Sequence, residues 1–267
     1  MMSSLLSVVR RHPIITFFVL SYALAWMLVP FGSFGAYGPL VAALIVVPIT
    51  QGVAGLKELG LRIIRWRVRW YWYAVALGVP LAVHLAVVGL NVASGAGVPS
   101  LTFASVTTFL MVFAIRLINP TDGPLGENPG WQGFALPGLQ GSGYSPLIAT
   151  AIVAPLVSLW HLPLFFWEPG GLQASVLVSG LVVTMAATFF YNWLFNRTGG
   201  SVLLVILAHD LEGSIQYEIG WIAMGVWLAV AIGLIVFDLK AWRAPAPARA
   251  TTVPPTPPRG ATPAASA

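Results

Sequence analysis

The sequence predicts an all-α protein, a polytopic membrane helical bundle with about eight transmembrane helices. Composition leads to this prediction, because 58% of the 267 residues are hydrophobic and only 8% are charged, whereas soluble domains carry about a quarter charged residues. The arrangement agrees, since the apolar residues form long runs that suit lipid as the solvent. Eight spans of roughly 20 residues fit this length and leave little chain for a soluble domain.

The apolar runs divide the chain into a short N-terminal segment, a transmembrane domain and a tail. We expect a cytoplasmic N-terminus at 1–13, a transmembrane helical domain at 14–243 and a disordered cytoplasmic tail at 244–267, where Pro, Ala and Thr dominate. The first run has the order of a signal peptide, but its length and the lack of a clear cleavage site favour a retained helix. The predicted spans are 14–31, 39–55, 70–92, a run ending near 118, 147–167, 174–195, 201–217 and 219–239.

Residues 119–146 interrupt this pattern between the fourth and fifth spans. They combine polar side chains with many glycines, and their most apolar stretch, 131–139, is too short to cross a bilayer. We therefore predict a short amphipathic or re-entrant helix before the fifth span, lying at the interface or against the bundle.

The basic residues indicate how the bundle is oriented. With the N-terminus inside and eight spans, the basic stretch 56–69 and the tail fall on the cytoplasmic side, while the outer loops near 93–100 and 168–173 contain no Lys or Arg. Arg116 then lies close to the inner end of the fourth span. This bias follows the positive-inside rule. It predicts an integral protein of the cell (cytoplasmic) membrane with both termini cytoplasmic, and it explains the net charge of +5 without nucleic acid as a partner.

A few ionisable residues lie in or beside the apolar runs, where they are costly and often functional. Glu127 opens the short segment, His161 lies within the fifth run, and His209 lies beside Asp210 in the seventh. His84 stands alone in the third run and is predicted to be structural. Glu127 as a general base with two histidines as hydrogen-bond donors is one interpretation, and a zinc ion held by the same three side chains is another. Polar packing without chemistry is the third. The absence of cysteine excludes disulfides, thiolate catalysis and Cys-based zinc sites.

Three short motifs in the C-terminal half resemble one known family. Residues 126–140 read Gly-Glu-Asn-Pro-Gly-Trp-Gln-Gly-Phe-Ala-Leu-Pro-Gly-Leu-Gln and are similar to a first motif of the form Glu-Glu-x-x-x-Arg that continues Gly-Tyr-Ala-Leu-Pro. Residues 159–166, Leu-Trp-His-Leu-Pro-Leu-Phe-Phe, resemble the second motif. Residues 196–201, followed by Ala-His at 208–209, resemble the third. The family is that of the CAAX protease and bacteriocin-processing (CPBP) proteins, which includes the Ras-converting type of CAAX prenyl endopeptidase.

The resemblance implies an eight-helix intramembrane endopeptidase that hydrolyses a peptide bond of a membrane-associated substrate. By resemblance, Glu127 activates the attacking water, and His161 and His209 complete the catalytic site. Asn128, Trp131 and Gln132 are expected to support the site or contact substrate. No cofactor is expected, with zinc on the catalytic residues as the alternative. The expected partners are membrane lipid and a membrane-associated peptide or lipidated protein, and a prenylated C-terminus, a bacteriocin leader or another membrane peptide would all qualify.

The chain departs from the family pattern at three positions. Asn128 replaces the second Glu, Gln132 replaces the Arg, and Gly213 replaces an Asn four residues after His209. Positions 128 and 132 face each other on a helix, so an Asn–Gln hydrogen bond can replace an ion pair there, unless Pro129 is the first helical residue and makes Asn128 a cap. These departures motivate an alternative function, a non-catalytic relative that binds a membrane partner or confers self-immunity to a bacteriocin. A transporter is disfavoured, because the ionisable groups do not fall in paired halves.

Overall fold

The computed structural model describes residues 2–95, 105–167, 172–215 and 220–244, and within these ranges the chain is helical with no strand. The loop predicted near 93–100, the outer loop at 168–173 and the tail therefore lie wholly or largely outside the described residues. Twelve α-helices are described, together with 3₁₀ turns at Val29–Phe31 and Leu162–Trp167 and a π-helical turn at Trp131–Ala135. The helices are α1 Met2–Arg11, α2 Pro13–Trp26, α3 Gly38–Ile63, α4 Tyr71–Ala93, α5 Val106–Ile118, α6 Pro124–Gly130, α7 Leu136–Gly141, α8 Pro146–Trp160, α9 Ala174–Arg197, α10 Val202–Ser214, α11 Trp221–Phe237 and α12 Leu239–Arg243.

The prediction of an all-α membrane protein is confirmed, whereas the number of spans is only partly matched. Five segments of the described chain are long and apolar enough to cross a membrane, and they are Pro13–Phe31, Gly38–Ile63, Tyr71–Ala93, Pro146–Trp167 and Ala174–Arg197. α5 and α11 are apolar but shorter, and α10 has 13 residues. Large apolar side chains such as Phe31 and Val53 lie on the outer surface, which is favourable when the solvent is lipid. The count of eight remains a prediction.

α3 is longer than the predicted second span. It continues past Gly55 to Ile63, so that Lys57 and Arg62, which were predicted in a basic loop, lie on the helix. The helix bends at Gly52, whose φ of 66° lies in the region that glycine alone adopts easily. Two of the charged residues after the apolar run stabilise each other on this helix. Arg62 and Glu58 form an i,i+4 ion pair with 3.2 Å between Nε and Oε1.

The segment between α5 and α8 is an inner helix of the bundle. Its helical path runs unbroken from Pro124 to Gly141, which corresponds to about 27 Å at the usual helical rise. Every residue from 126 to 140 is buried. Of the two predicted alternatives, an amphipathic helix at the interface is wrong, because residues 126–140 have no exposed face. The other alternative, a segment that lies against the bundle, agrees with this burial.

Two glycines allow α6 to lie directly against the start of α3. A Cβ atom at Gly126 would stand 2.6 Å from the carbonyl oxygen of Ala36, and one at Gly130 would stand 2.5 Å from that of Pro39. Both obstacles are backbone atoms, which cannot move aside as a side chain can. This approach fixes the depth and the rotation of the helix that carries Glu127.

Candidate active site

Glu127 lies in the first turn of α6, where its side chain is buried. A carboxylate is favoured at this end of a helix because the free backbone N–H groups carry partial positive charge. Its Oε2 atom has no hydrogen-bond partner among the described protein groups. The nearest ionisable contact is His161, with 3.6 Å between Oε2 and the Nε2 atom of the imidazole.

His161 is held at the end of α8 by its own helix and by α2. Its Nδ1 atom lies 2.9 Å from the carbonyl oxygen of Val157, which can only accept, so the proton is on Nδ1 and Nε2 faces Glu127. Trp26 donates from Nε1 to the carbonyl oxygen of Trp160 at 2.9 Å, and Trp160 donates back to Ser21 at 3.1 Å. The helix ends here because Pro163 follows, which lacks an N–H donor and disfavours helical backbone before it.

His209 approaches the same place from α10. Its Nδ1 atom lies 3.1 Å from Oδ1 of Asn128, and its ring stacks on Tyr191 with 5.2 Å between centroids. Asn128 directly follows Glu127 in α6, so this contact brings the ring of His209 to the turn that carries Glu127. The three side chains predicted as catalytic therefore lie together, although they come from three separate helices.

Asn128 and Gln132 form the hydrogen bond that the sequence predicted. Nδ2 of Asn128 donates to Oε1 of Gln132 at 3.0 Å, and both side chains are buried. Pro129 lies inside α6, so Asn128 is a full helical position and not a cap. From Gln132 the hydrogen bonds continue to Asn192 on α9 at 2.9 Å and from Asn192 to Thr150 on α8 at 3.2 Å.

This buried amide chain has one direction. Each amide accepts through its oxygen and donates through its nitrogen, from Asn128 to Thr150. Because Nδ2 of Asn128 is used on Gln132, its Oδ1 atom faces His209 and the proton lies on Nδ1 of that histidine. In the neutral imidazole Nε2 then carries a lone pair.

Trp131 lies in the aromatic core that supports the site. It is 1% exposed and packs edge-on against Phe17 at 5.4 Å and Trp160 at 5.6 Å, measured between ring centroids. It thereby joins α2 to the end of α8, next to His161. These contacts favour the supporting part of its predicted role over direct substrate contact.

Arg116 is a residue that the sequence analysis placed only as a topology charge. Its Nε atom donates to Oδ1 of the fully buried Asp210 at 3.0 Å, and its Nη1 atom donates to Asp122 at 3.2 Å. Asp210 directly follows His209, so the pair brings the end of α5 to the site. One indication was available in the sequence, since a carboxylate beside a buried histidine requires a cationic partner, but the sequence does not show which one.

The remaining motif residues have structural positions. Asn196 accepts from Nε2 of Gln140 at 3.1 Å, which ties the third motif to the end of the first. Ser201 caps α10 by accepting from the backbone N–H of Leu204 at 3.3 Å. His84 lies on α4, and the structural role predicted for it stays a prediction.

The histidines keep one ring nitrogen each for a ligand. Within the described part of the chain, no three His, Asp or Glu side chains form a group that could hold a metal ion. Nδ1 of His161 and Nδ1 of His209 are bonded to protein acceptors, which leaves Nε2 of each ring for substrate, water or a metal. The alternative of zinc on Glu127, His161 and His209 therefore stays a prediction.

The fold and the site together define a helical integral membrane protein with a buried carboxylate and two histidines inside its bundle. A protein-family model described as type II CAAX prenyl endopeptidase Rce1-like matches residues 105–211. This match agrees with the resemblance of the motifs to the CAAX protease and bacteriocin-processing family, and over residues 105–211 it supports a protein of the protease kind. No curated protein matches the chain.

Proposed function

We propose that this protein is an intramembrane endopeptidase of the CAAX type, which hydrolyses a peptide bond of a membrane-associated peptide or lipidated protein. The observation that carries the proposal is the buried Glu127 carboxylate, which lies 3.6 Å from Nε2 of His161 and beside Asn128, the residue that bonds His209. We also propose a cell-membrane location with both termini cytoplasmic, and chemistry without a cofactor.

Glu127 acts as the general base in this mechanism. A water beside Oε2 contacts both the carboxylate and His161, and it loses a proton to Glu127 as its oxygen bonds to the carbonyl carbon. When the carbon–nitrogen bond breaks, Glu127 returns the proton to the leaving amine. The hydrogen bond to Val157 fixes the ring of His161 so that Nε2 stays at the water, and Nε2 of His209 accepts from the substrate to orient it.

Hydrolysis by the purified protein in lipid vesicles tests this proposal. A panel of membrane-anchored peptides, with and without a prenylated C-terminus, is incubated with wild-type protein and with Glu127→Gln, His161→Ala and His209→Ala. We expect wild type to cleave at least one class and each variant to lose cleavage. The matched control is Asp238→Asn, a carboxylate-to-amide change on a residue that bonds Trp193 and Arg197 outside the site. Cleavage retained by Glu127→Gln contradicts the mechanism.

A non-catalytic relative, acting in membrane partner binding or bacteriocin self-immunity, is the second candidate. The observation in its favour is the neutral amide pair of Asn128 and Gln132, which replaces charged groups of the family pattern beside His209. It predicts that Asn128→Glu, Gln132→Arg and Gly213→Asn together create or greatly raise cleavage. Good turnover by wild type and no gain in the triple variant would count against it.

A further inference from the structure

The guanidinium group of Arg116 lies at the candidate active site, and two of its three nitrogens are bonded to described residues. Nε and Nη1 are fixed by Asp210 and Asp122, which are its hydrogen-bonding and ionic contacts among the described residues. These two carboxylates hold the planar group in one orientation, because they bind adjacent nitrogens. The third nitrogen, Nη2, makes no such contact within the described chain.

Nη2 of Arg116 lies between two glycines, Gly123 and Gly213. A Cβ atom at Gly213 would stand only 2.7 Å from Nη2, so any side chain there would displace the guanidinium. A Cβ atom at Gly123 would stand 3.2 Å from Nη2 and 4.0 Å from Oε1 of Glu127. The Nη2 atom and the Glu127 carboxylate therefore flank the same small space beside Gly123, on the side of α10 that carries His209 and Gly213.

Hydrolysis at this site requires a hydrogen-bond donor that His209 does not supply in its neutral form. Attack on a peptide carbonyl places negative charge on its oxygen, and donors aimed at that oxygen are usually the largest contribution to catalysis. The amide chain puts the proton of His209 on Nδ1, where it is donated to Asn128, and leaves Nε2 as an acceptor. A guanidinium group, in contrast, is always charged and has only donors.

We propose that Arg116 is the oxyanion-binding residue of this site, donating from Nη2 to the carbonyl oxygen of the scissile peptide bond. This assignment rests on the proposed endopeptidase function. As the oxygen of the Glu127-activated water bonds to the carbonyl carbon, the carbonyl electron pair moves to the oxygen, which is held by Nη2. The pair returns when the carbon–nitrogen bond breaks, and the leaving amine takes its proton from Glu127.

The first test removes Arg116 without leaving a buried charge unpaired. Arg116→Ala alone would strand the Asp210 carboxylate, so the working variant is Arg116→Ala combined with Asp210→Ala, and thermal unfolding in lipid confirms that it is folded. We expect kcat to fall about 10²- to 10³-fold, as for loss of one oxyanion donor, with KM changed little. The matched control is Arg197→Ala, which removes another arginine from its ion pair with Asp238, away from the site, and keeps wild-type kcat.

The second test separates a catalytic guanidinium from a structural one. Free guanidinium chloride at low millimolar concentration is added to the Arg116→Ala, Asp210→Ala variant, and it should restore at least tenfold of the lost kcat with saturation. The same addition should leave Glu127→Gln inactive. A structural role for Arg116 predicts no rescue, because a small soluble cation cannot repack the helix end.

The outcomes distinguish this assignment from the proposed function. If wild type cleaves and the double variant keeps its kcat, or loses kcat without rescue, Arg116 is not the oxyanion donor while the endopeptidase function stands. If wild type and Glu127→Gln are equally inactive on every substrate class, the endopeptidase function is wrong and the assignment falls with it.

Discussion

Replacing Gln132 with methionine removes the central member of the buried amide chain that links His209 to Thr150. Gln132 accepts a hydrogen bond from Asn128 at 3.0 Å and donates one to Asn192 at 2.9 Å. Methionine has a similar length and fills the space, so the variant loses the polar contacts and little of the packing. Nδ2 of Asn128 and Oδ1 of Asn192 are then left buried without those partners.

The magnitude follows from these two stranded groups. Each buried polar group without a partner costs about 1–3 kcal/mol, so the free energy of unfolding should fall by about 2–6 kcal/mol. Equilibrium unfolding in detergent micelles measures the loss. Without Gln132, the side-chain amide of Asn128 should be free to rotate. The proton of His209 is then no longer fixed on Nδ1, and nitrogen NMR of the labelled imidazole detects this change of tautomer.

Gln140→Met is the control for this prediction. Gln140 is buried in the same inner segment, but its one described hydrogen bond goes to Asn196 at 3.1 Å. It should therefore lose less than about 1–3 kcal/mol, because the one group it strands, Oδ1 of Asn196, is only partly buried and because methionine also removes the Oε1 atom of Gln140, which has no described partner. If Gln132→Met is no less stable than Gln140→Met, or lies within about 0.5 kcal/mol of wild type, the amide chain does not hold the site as argued.

Three further substitutions test how the inner helix and His161 are positioned. Gly130→Ala should lower the free energy of unfolding by about 1–3 kcal/mol or more, because the added Cβ would stand 2.5 Å from the backbone oxygen of Pro39. Thermal unfolding measures the loss. The control is Gly89→Ala, which has open space around it and should be neutral in the same assay. Arg62→Met removes the donor that reaches the π-helical turn at 2.7 Å, and we expect faster proteolysis of the inner segment; unchanged cleavage would contradict this. Trp26→Phe keeps an aromatic ring, although a smaller one, and loses the N–H bond to the end of α8. We expect kcat to fall several-fold with a smaller effect on Tm, and an unaltered kcat would show that this bond does not orient His161.

Local spacing was sufficient to predict part of the candidate site. Glu127, His161 and His209 stand out in the sequence because ionisable groups are costly in apolar surroundings. The resemblance of the three motifs then predicts that they form one site. The bond between Asn128 and Gln132 was predictable because residues four apart on one helix face each other. In each case the information lies within a few residues of the position concerned.

The contacts that sequence reasoning missed join distant parts of the chain. Arg116 is separated from Asp210 by 94 residues, and no local pattern tells which of thirteen basic residues meets that carboxylate. The sequence pattern does not predict that α3 continues to Ile63, because charged residues such as Glu58 and Arg62 are typical of a loop between spans. In the structure these two residues form an ion pair on the helix. The polar residues of the inner segment suggest contact with water and so favour an amphipathic helix, whereas in the structure Asn128, Gln132 and Gln140 bond other side chains.

Contacts from α2 and α3 to the candidate site limit which segments of this protein can be exchanged with another protein. The family match begins at residue 105, yet Trp26 anchors the end of α8, Pro39 sets the depth of α6, and Arg62 bonds the π-helical turn. Helices α2 and α3, which lie outside the family match, therefore set the positions of the candidate site residues in the matched segment. A chimera that carries residues 105–211 on another protein's leading helices would inherit the reactive groups without their alignment, unless those three contacts were transplanted with them.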